Sequence, residues 1–166
     1  MDRKFHGGSF SGGLNLRRLG DEDVEQIYRL SSGNELFYRY HPPFVTRASI
    51  LEDLRVLPPG KEPKDKYYLG FFEEETLTAV MDLILDYPEK GTAFIGLFMV
   101  AREYQNQGIG GRIVAECLAG LKERGFGKVQ LGVDRENPQS NGFWKKCGFS
   151  LVETKGPYHK MEFILL

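Results

Sequence analysis

The segment YQNQGIGGRIV, residues 104–114, carries three glycines within four positions. An apolar run typical of a strand, 92–100, precedes it. An apolar stripe with helical spacing follows it, formed by Ile109, Ile113, Val114, Cys117, Leu118 and Leu121. The segment therefore predicts a strand-to-helix junction whose backbone must be free of side chains.

Several mechanisms place glycine at such a junction. A dinucleotide-binding fingerprint would need glycine at position 113, which is isoleucine, and a P-loop would need lysine after Gly111, which is followed by Arg112. Two interpretations are left. One is an anion cradle, in which unobstructed N–H groups at a helix N-terminus hold a diphosphate, and the other is a tight turn with positive φ. The glycines alone leave both open.

The other patterns predict an α/β fold (α+β mixed sheet) of order βααβββαβαββ, with helices on both faces. Short connections make the central strands antiparallel, and one βαβ crossover makes 92–100 and 128–133 a parallel pair. NELFYRYHPPF predicts a short helix or turn, Ser49 and Glu52 predict a capping box, and Asn137 predicts an N-cap. The predicted strands are 14–19, 67–72, 77–87, 92–100, 128–133, 149–154 and 159–165.

Composition restricts the function classes. A chain of 166 residues predicts a single domain, 1–166, whose residues 1–12 form a flexible Gly/Ser-rich lead-in. A net charge of -1 argues against a nucleic-acid partner. We expect no membrane span, no signal peptide and a cytoplasmic location, because no apolar run approaches about 18 residues and the N-terminus lacks an apolar core. Two cysteines and three scattered histidines predict free thiols and no metal site.

FIGLFMVAREYQNQGIGGRIVAECL, followed by VQLGVDRENPQSNGFWKKCGF, resembles the GCN5-related N-acetyltransferase superfamily. The motif [QR]-x-x-G-x-[GA] is matched by residues 105–110. The later elements N-x-x-[AS] and K-x-G-F are matched by 137–140 and 146–149. The similarity covers 77–149 well and the N-terminal third weakly.

The resemblance implies acetyl-CoA as co-substrate, with its pantetheine arm in a cleft between the splayed strands 92–100 and 128–133. It implies that the end of strand 92–100 pairs with pantetheine, that loop 105–111 cradles the diphosphate, and that Asn137 reaches the arm. The implied cofactor-binding residues are Met99, Val100, Gln105, Asn106, Gln107, Gly108, Ile109, Gly110, Gly111, Asn137 and Trp144.

The catalytic acid and base depart from the family pattern. The tyrosine that often protonates the thiolate aligns with Trp144, whose indole N–H donates a hydrogen bond but supplies no proton. We interpret Trp144 as an apolar wall and consider Tyr158 as the acid. Strand 92–100 carries no acid, so Asp82, on one face with Asp86 and apolar neighbours, is the candidate base or substrate contact.

The implied activity is transfer of acetyl from acetyl-CoA to a primary amine by direct attack in a ternary complex. The alternative is a non-catalytic acyl-CoA-binding or sensing module, favoured by the missing tyrosine and strand glutamate. Tyr38, Tyr40 and His41 lie in the loop that usually borders the acceptor pocket in this family, although a hydrophobic plug over the core explains them equally well. The acceptor is a small-molecule or peptide amine, and the closing strands offer an edge for a homodimer.

Overall fold

The computed structural model describes residues 8–9 and 14–166, which form one mixed sheet of eight strands with helices on both faces. The elements are β1 (Gly8–Ser9), β2 (Leu14–Arg18), α1 (Val24–Ser32), α2 (Glu35–Tyr40), α3 (Arg47–Arg55), β3 (Lys66–Glu73), β4 (Thr76–Leu85), β5 (Thr92–Val100), α4 (Ile109–Glu123), β6 (Lys128–Asp134), α5 (Pro138–Lys146), β7 (Ser150–Lys155) and β8 (Tyr158–Ile164). The strand order is β1-β2-β3-β4-β5-β6-β8-β7. All neighbours are antiparallel except β5 and β6.

Two hydrophobic cores lie on opposite faces of the sheet. The first joins α4 and α5 to alternate strand residues such as Met81, Ile95 and Leu131. The second joins α1 and α3 to the opposite faces of the strands, including Val80 and Met99. We call the side of α1–α3 the acceptor face, after the acceptor pocket that the resemblance implies beside Tyr38 and Tyr40. Because successive side chains alternate between faces, Asp82 lies on the acceptor face with Val80.

The parallel pairing between β5 and β6 is short. It runs from Thr92 opposite Lys128 to Ile95 opposite Leu131, and it continues no further. Across β4 and β5 the register shifts, because Leu83 pairs with Ile95 whereas Asp82 pairs with Leu97, so Gly96 is the bulged residue. The bulge separates the last part of β5 from β6 and opens a cleft at the carboxyl ends of the two strands.

The α/β class, the mixed sheet and the splayed parallel pair are confirmed. The segment expected to be a short helix or a turn is α2, so three α-helices rather than two separate β2 from β3. The predicted capping box is wrong: α3 begins one turn earlier, where the Thr46 side chain accepts from the Ser49 backbone N–H and the Ser49 side chain accepts from the Thr46 N–H. Asn137 does cap α5, as expected.

The two ends of the sheet differ in what the structure describes. Of the expected lead-in 1–12, Gly8–Ser9 pair with β2, and the rest lies outside the described residues. At the other end, β7 is exposed along its whole length, and the homodimer expected at this edge stays a prediction. Within the described ranges, no helix is both long enough and apolar enough to cross a membrane.

Candidate active site

The glycine loop turns sharply from the end of β5 into α4. Asn106 and Gly108 have φ of 62° and 80°, and Gly108 caps α4 without a side chain. The N–H groups of the first helical turn, from Ile109 onward, have no partner one turn earlier within the helix. They therefore form an electropositive helix N-terminus beside the cleft.

The three glycines have different reasons to be glycine. Gly108 needs its left-handed backbone, and a Cβ on Gly110 would lie 3.1 Å from the Phe143 ring and 3.3 Å from Val100 Cγ2. A Cβ on Gly111 would meet nothing within 4 Å. A tight turn explains Gly108 and close packing explains Gly110. Gly111 is explained by neither, and it faces open space at the helix start.

Gln105 ties the loop to both neighbouring elements. Its Nε2 donates to the Val100 carbonyl at 2.8 Å and to Asn34 Oδ1 at 2.7 Å. Asn34, between α1 and α2, donates from Nδ2 to the same Val100 carbonyl at 3.2 Å. Through these hydrogen bonds Gln105 shapes the entry of the loop, and its partner Asn34 carries no sequence signal.

A cavity of about 1220 Å³ extends from the glycine loop along α4 and α5. This exceeds the ~300–1,000 Å³ of most small-molecule sites, so it suits a long ligand. Of the expected cofactor residues, it brings together Met99, Val100, Gln105, Asn106, Gly108, Gly110, Gly111 and Trp144. Three others are not part of the lining: Gln107 donates to the Glu103 carbonyl, Ile109 packs against the core, and Asn137 is buried next to the lining residue Pro138.

The side-chain oxygen and nitrogen of Asn137 differ in their hydrogen bonding. Its Oδ1 accepts from the backbone N–H groups of Gln139 and Ser140, which satisfies the start of α5. Its Nδ2 is buried and has no hydrogen-bond partner among the described residues. A buried amide donor without a partner costs free energy, so this atom is available to a ligand acceptor.

The wall of the cavity is aromatic. Trp144 is buried and makes edge-on contacts with Phe98, Phe143 and Phe149, with ring centroids 5.9, 4.9 and 5.1 Å away. The interpretation of Trp144 as an apolar wall agrees with this packing. Phe98 and Phe143 lacked a functional pattern in the sequence and were not expected as site residues, whereas Phe149 belongs to the K-x-G-F element.

Asp82 is a buried acid with a buried partner. Its Oδ2 accepts from Lys66 Nζ at 3.0 Å, and a Cβ on Gly96 would lie 3.0 Å from the same oxygen. Its Oδ1 is buried and has no partner in the described part of the chain. Burial raises the pKa of Asp82, and the nearby Lys66 ammonium offsets part of that rise. Asp86 instead lies in the turn after β4, where its Oδ1 accepts from the Gly91 N–H.

The expected acceptor tyrosines and the expected acid lie outside the cavity lining. Tyr38 is half-buried with its ring 4.9 Å from Phe37, and burial raises its pKa to about 12. Tyr40, also half-buried, ends α2. Tyr158 is exposed at the start of β8, and its ring lies 6.3 Å from that of His41. The neighbouring α2 residue Phe37 does line the cavity.

The two thiols are poorly suited to nucleophilic catalysis. Burial raises the pKa of Cys117 to about 12, and it also raises the pKa of Cys147. A thiol acts as a nucleophile through its thiolate, which these environments disfavour. Among the described residues, no group of three or more His, Cys, Asp or Glu side chains is arranged to hold a metal ion.

A splayed parallel pair lies beside an electropositive helix start and opens onto a long cavity, which is the arrangement that the sequence resemblance implied. The chain belongs to the acetyltransferase (GNAT) family, whose model matches residues 24–149. It is 28% identical over 148 residues to a mycothiol acetyltransferase of Beutenbergia cavernae, and the match covers 89% of this chain. The chain spans about half the length of that relative, since the match covers 48% of it.

Solved structures share the fold. An acetyltransferase from Thermus thermophilus matches with a TM-score of 0.79 and 22% identity, over 91% of this chain and 96% of its own. An N-acetyltransferase from Thermoplasma acidophilum in complex with coenzyme A matches at 0.71 and 21%, over 91% and 98%. A spermidine N-acetyltransferase from Vibrio cholerae with CoA and spermine matches at 0.70 and 18%, over 93% and 97%.

Proposed function

We propose that this enzyme transfers an acetyl group from acetyl-CoA to a primary amine by direct attack in a ternary complex. The observation that carries the proposal is Gly111. Neither the turn nor close packing requires a glycine at this position, and the missing side chain leaves open space at the N-terminus of α4. Family membership and the CoA complexes of structural neighbours support the same co-substrate. Neighbours named for spermidine and for an alanine of a ribosomal protein support an amine acceptor.

The residues present fit acetyl-CoA. The N–H groups of 109–111 would hold the diphosphate, and the edge of β5 beyond Ile95, which has no strand partner on the β6 side in the described sheet, would pair with the pantetheine amides. Asn137 Nδ2 would donate to the arm, and Trp144 would exclude water beside it. When bound, acetyl-CoA supplies an activated thioester carbonyl.

Groups of the chain itself would then assist the attack of the amine on the thioester. A backbone N–H near Met99 or Val100, freed by the bulge, stabilises the charge that develops on the acetyl oxygen. We assign Asp82 as a substrate contact, because Lys66 already occupies Oδ2 and only Oδ1 is without a partner. Tyr158 donates the proton that the departing thiolate takes up. Direct attack is favoured over an acyl-cysteine route because both thiols are held protonated.

A non-catalytic acyl-CoA-binding module is the second candidate, and Trp144 in place of the usual tyrosine is the observation that favours it. Both candidates require acetyl-CoA binding, and only the enzyme acetylates an amine. A panel of spermidine, a peptide with N-terminal alanine and a simple alkylamine, assayed for free thiol release, separates the two.

Replacing Gly111 by alanine tests the cradle directly. We expect acetyl-CoA affinity, measured by calorimetry, to fall about tenfold or more, roughly 1.4 kcal/mol, because the methyl group enters the space of the diphosphate. The free energy of unfolding should stay level or rise by up to about 1 kcal/mol, since alanine favours helix more than glycine does.

Ser32→Ala is the control, because Ser32 lies in α1 outside the cavity lining and its hydroxyl donates only to the Arg29 carbonyl, at 3.4 Å. We expect this variant to gain helix stability in the same way and to bind acetyl-CoA within about twofold of wild type. Equal affinities for wild type and Gly111→Ala would contradict the cradle. Absence of acetyl-CoA binding by the folded wild type would end the proposal.

A further inference from the structure

A histidine and a carboxylate meet at the open end of the cleft. His41 directly follows α2 and Asp134 ends β6, and His41 Nδ1 lies 3.1 Å from Asp134 Oδ1. The carboxylate is largely buried, with 11% of its side chain exposed, whereas 45% of the imidazole is exposed. Asp134 therefore holds one nitrogen of a ring whose other side reaches solvent.

The pair lies on the side where an acceptor would enter. Asp134 follows the inward-facing Val133 on β6, so its side chain points to the acceptor face. It lies three residues beyond Leu131, the last β6 residue paired with β5, and is thus at the splayed end of the cleft. The His41 ring lies 5.3 Å from that of Phe37, which lines the cavity.

The arrangement of the ring leaves one nitrogen for chemistry. A carboxylate that accepts from Nδ1–H fixes the imidazole tautomer and leaves Nε2 as a proton acceptor, as in hydrolase triads. Nε2 has no hydrogen-bond partner among the described residues. If His41 only held α2 against the sheet, the Nδ1 contact alone would be sufficient. That role would not require Nε2 to lie on the open side.

We propose that His41 is the proton acceptor for the incoming amine and that Asp134 is its positioning residue. The inference rests on the proposed function and deepens it, because it assigns the base that Asp82, already paired with Lys66, does not supply. The substrate class is an alkylamine that arrives as an ammonium ion and must lose a proton before it attacks.

The proton balance is complete without a further reactant. The ammonium gives one proton to His41 Nε2, and His41 releases it to solvent. The neutral nitrogen forms a bond to the acetyl carbon while the carbon–sulfur bond breaks. The second proton leaves the nitrogen as the amide forms, and one proton reaches the departing thiolate from Tyr158, which recovers it from the amide nitrogen through solvent.

Few charged or titratable groups face the His41 ring. Asp134 contacts it from β6, Tyr158 lies 6.3 Å away on β8, and Asp53 on α3 is close enough for His41 to affect its carboxylate electrostatically. The carboxylates of Asp134 and Asp53 favour a positive charge on the ring, and the Tyr158 hydroxyl is neutral. The two carboxylates therefore stabilise the imidazolium that forms when the amine loses its proton.

His41→Asn distinguishes a general base from a residue that only holds α2 against the sheet. The asparagine amide reproduces the Nδ1 donor but has no proton acceptor in place of Nε2. We expect kcat near neutral pH to fall about 100-fold or more, within the range of general-base contributions. Acetyl-CoA affinity by calorimetry should be unchanged. The loss should shrink as pH rises toward the amine's own pKa, because the amine then loses its proton to solvent.

His159→Asn is the matched control, since His159 Nδ1 also has a side-chain partner, Thr154 Oγ1 at 2.8 Å, on the neighbouring strand. It should keep kcat within about threefold of wild type. Asp134→Asn should lower kcat by about tenfold or more with a similar pH dependence, because an amide no longer fixes the tautomer.

Rates are measured with acetyl-CoA and the panel amine that the wild type acetylates fastest. Wild-type kcat in His41→Asn, or a loss that is the same at every pH, would overturn the role of His41 while leaving the transferase intact. Failure of the wild type to acetylate any amine would overturn both proposals. An unfolded His41→Asn is distinguished by its loss of acetyl-CoA binding, and the pH dependence of Asp134→Asn then carries the test.

Discussion

Replacing Lys66 by methionine is expected to lower the free energy of unfolding by about 3–5 kcal/mol, because it leaves the buried Asp82 carboxylate without its partner. Lys66 is 5% exposed and donates from Nζ both to Asp82 Oδ2 and to the Val56 carbonyl, at 3.0 and 2.8 Å. The buried carboxylate and the Val56 carbonyl thus lose a charged donor at once. Urea unfolding at constant pH measures the change.

The deficit should depend on pH. Burial raises the pKa of Asp82 above its value in the unfolded chain, and loss of Lys66 removes a group that lowers it. The folded variant therefore binds this proton more tightly than the unfolded chain. The contribution of Asp82 to the stability of the variant is greatest below about pH 4, the ordinary aspartate range, and is lost as pH rises through the raised pKa.

Two further variants control the Lys66 experiment. Lys64→Met removes an exposed lysine, 3.8 Å from Glu62, and should change stability by no more than about 1 kcal/mol. The double variant Lys66→Met with Asp82→Leu should regain most of the loss, because an apolar pair can replace a buried ion pair. A Lys66→Met protein as stable as Lys64→Met would show that the buried pair contributes little.

Replacing Trp144 by alanine is the second large expected effect. The free energy of unfolding should fall by about 3–5 kcal/mol, because a buried indole that packs against three phenylalanines is removed. The same cavity wall borders the proposed cofactor arm, so acetyl-CoA affinity should fall as well. Calorimetry at a temperature where the variant is fully folded measures this second effect.

Trp144→Phe separates packing from the polar N–H of the indole. It keeps an aromatic wall and should cost less stability than Trp144→Ala, because it removes fewer buried atoms. If the wall interpretation is correct, its turnover with a panel amine should stay close to that of the wild type. A large loss of kcat in Trp144→Phe at unchanged stability would instead assign the indole N–H a part in the reaction.

Local patterns were sufficient for most of the fold. The strand patterns, the glycine loop and the Asn137–Pro138 helix start each depend on neighbours in the sequence, and the structure shows them where they were expected. The predicted start of α3 was wrong, and the reason is also local. Ser49 precedes Glu52 as a cap would, but Thr46 precedes Ser49 in the same way one turn earlier, and the backbone uses that earlier cap.

The site was less accessible because its contacts join distant parts of the chain. Alternation along β4 indicated that Asp82 is an acid among apolar neighbours, but its pairing with Lys66 depends on the register of β3, which no local pattern sets. His41 and Asp134 lie 93 positions apart, and their contact exists only because α2 and β6 meet over the cleft. Asn34 is likewise recognisable only from its contact with Gln105.

The short seam between β5 and β6 makes the molecule two half-sheets joined at one end. Five strands lie on one side of the seam and three on the other, and four residue pairs face each other across it. Every pair added beyond Ile95 and Leu131 would strengthen the sheet and narrow the cleft, and every pair removed would do the reverse. The bulge at Gly96 thus sets the width of the cleft. A wider cleft has more room for a ligand, but it leaves fewer paired residues between the two half-sheets.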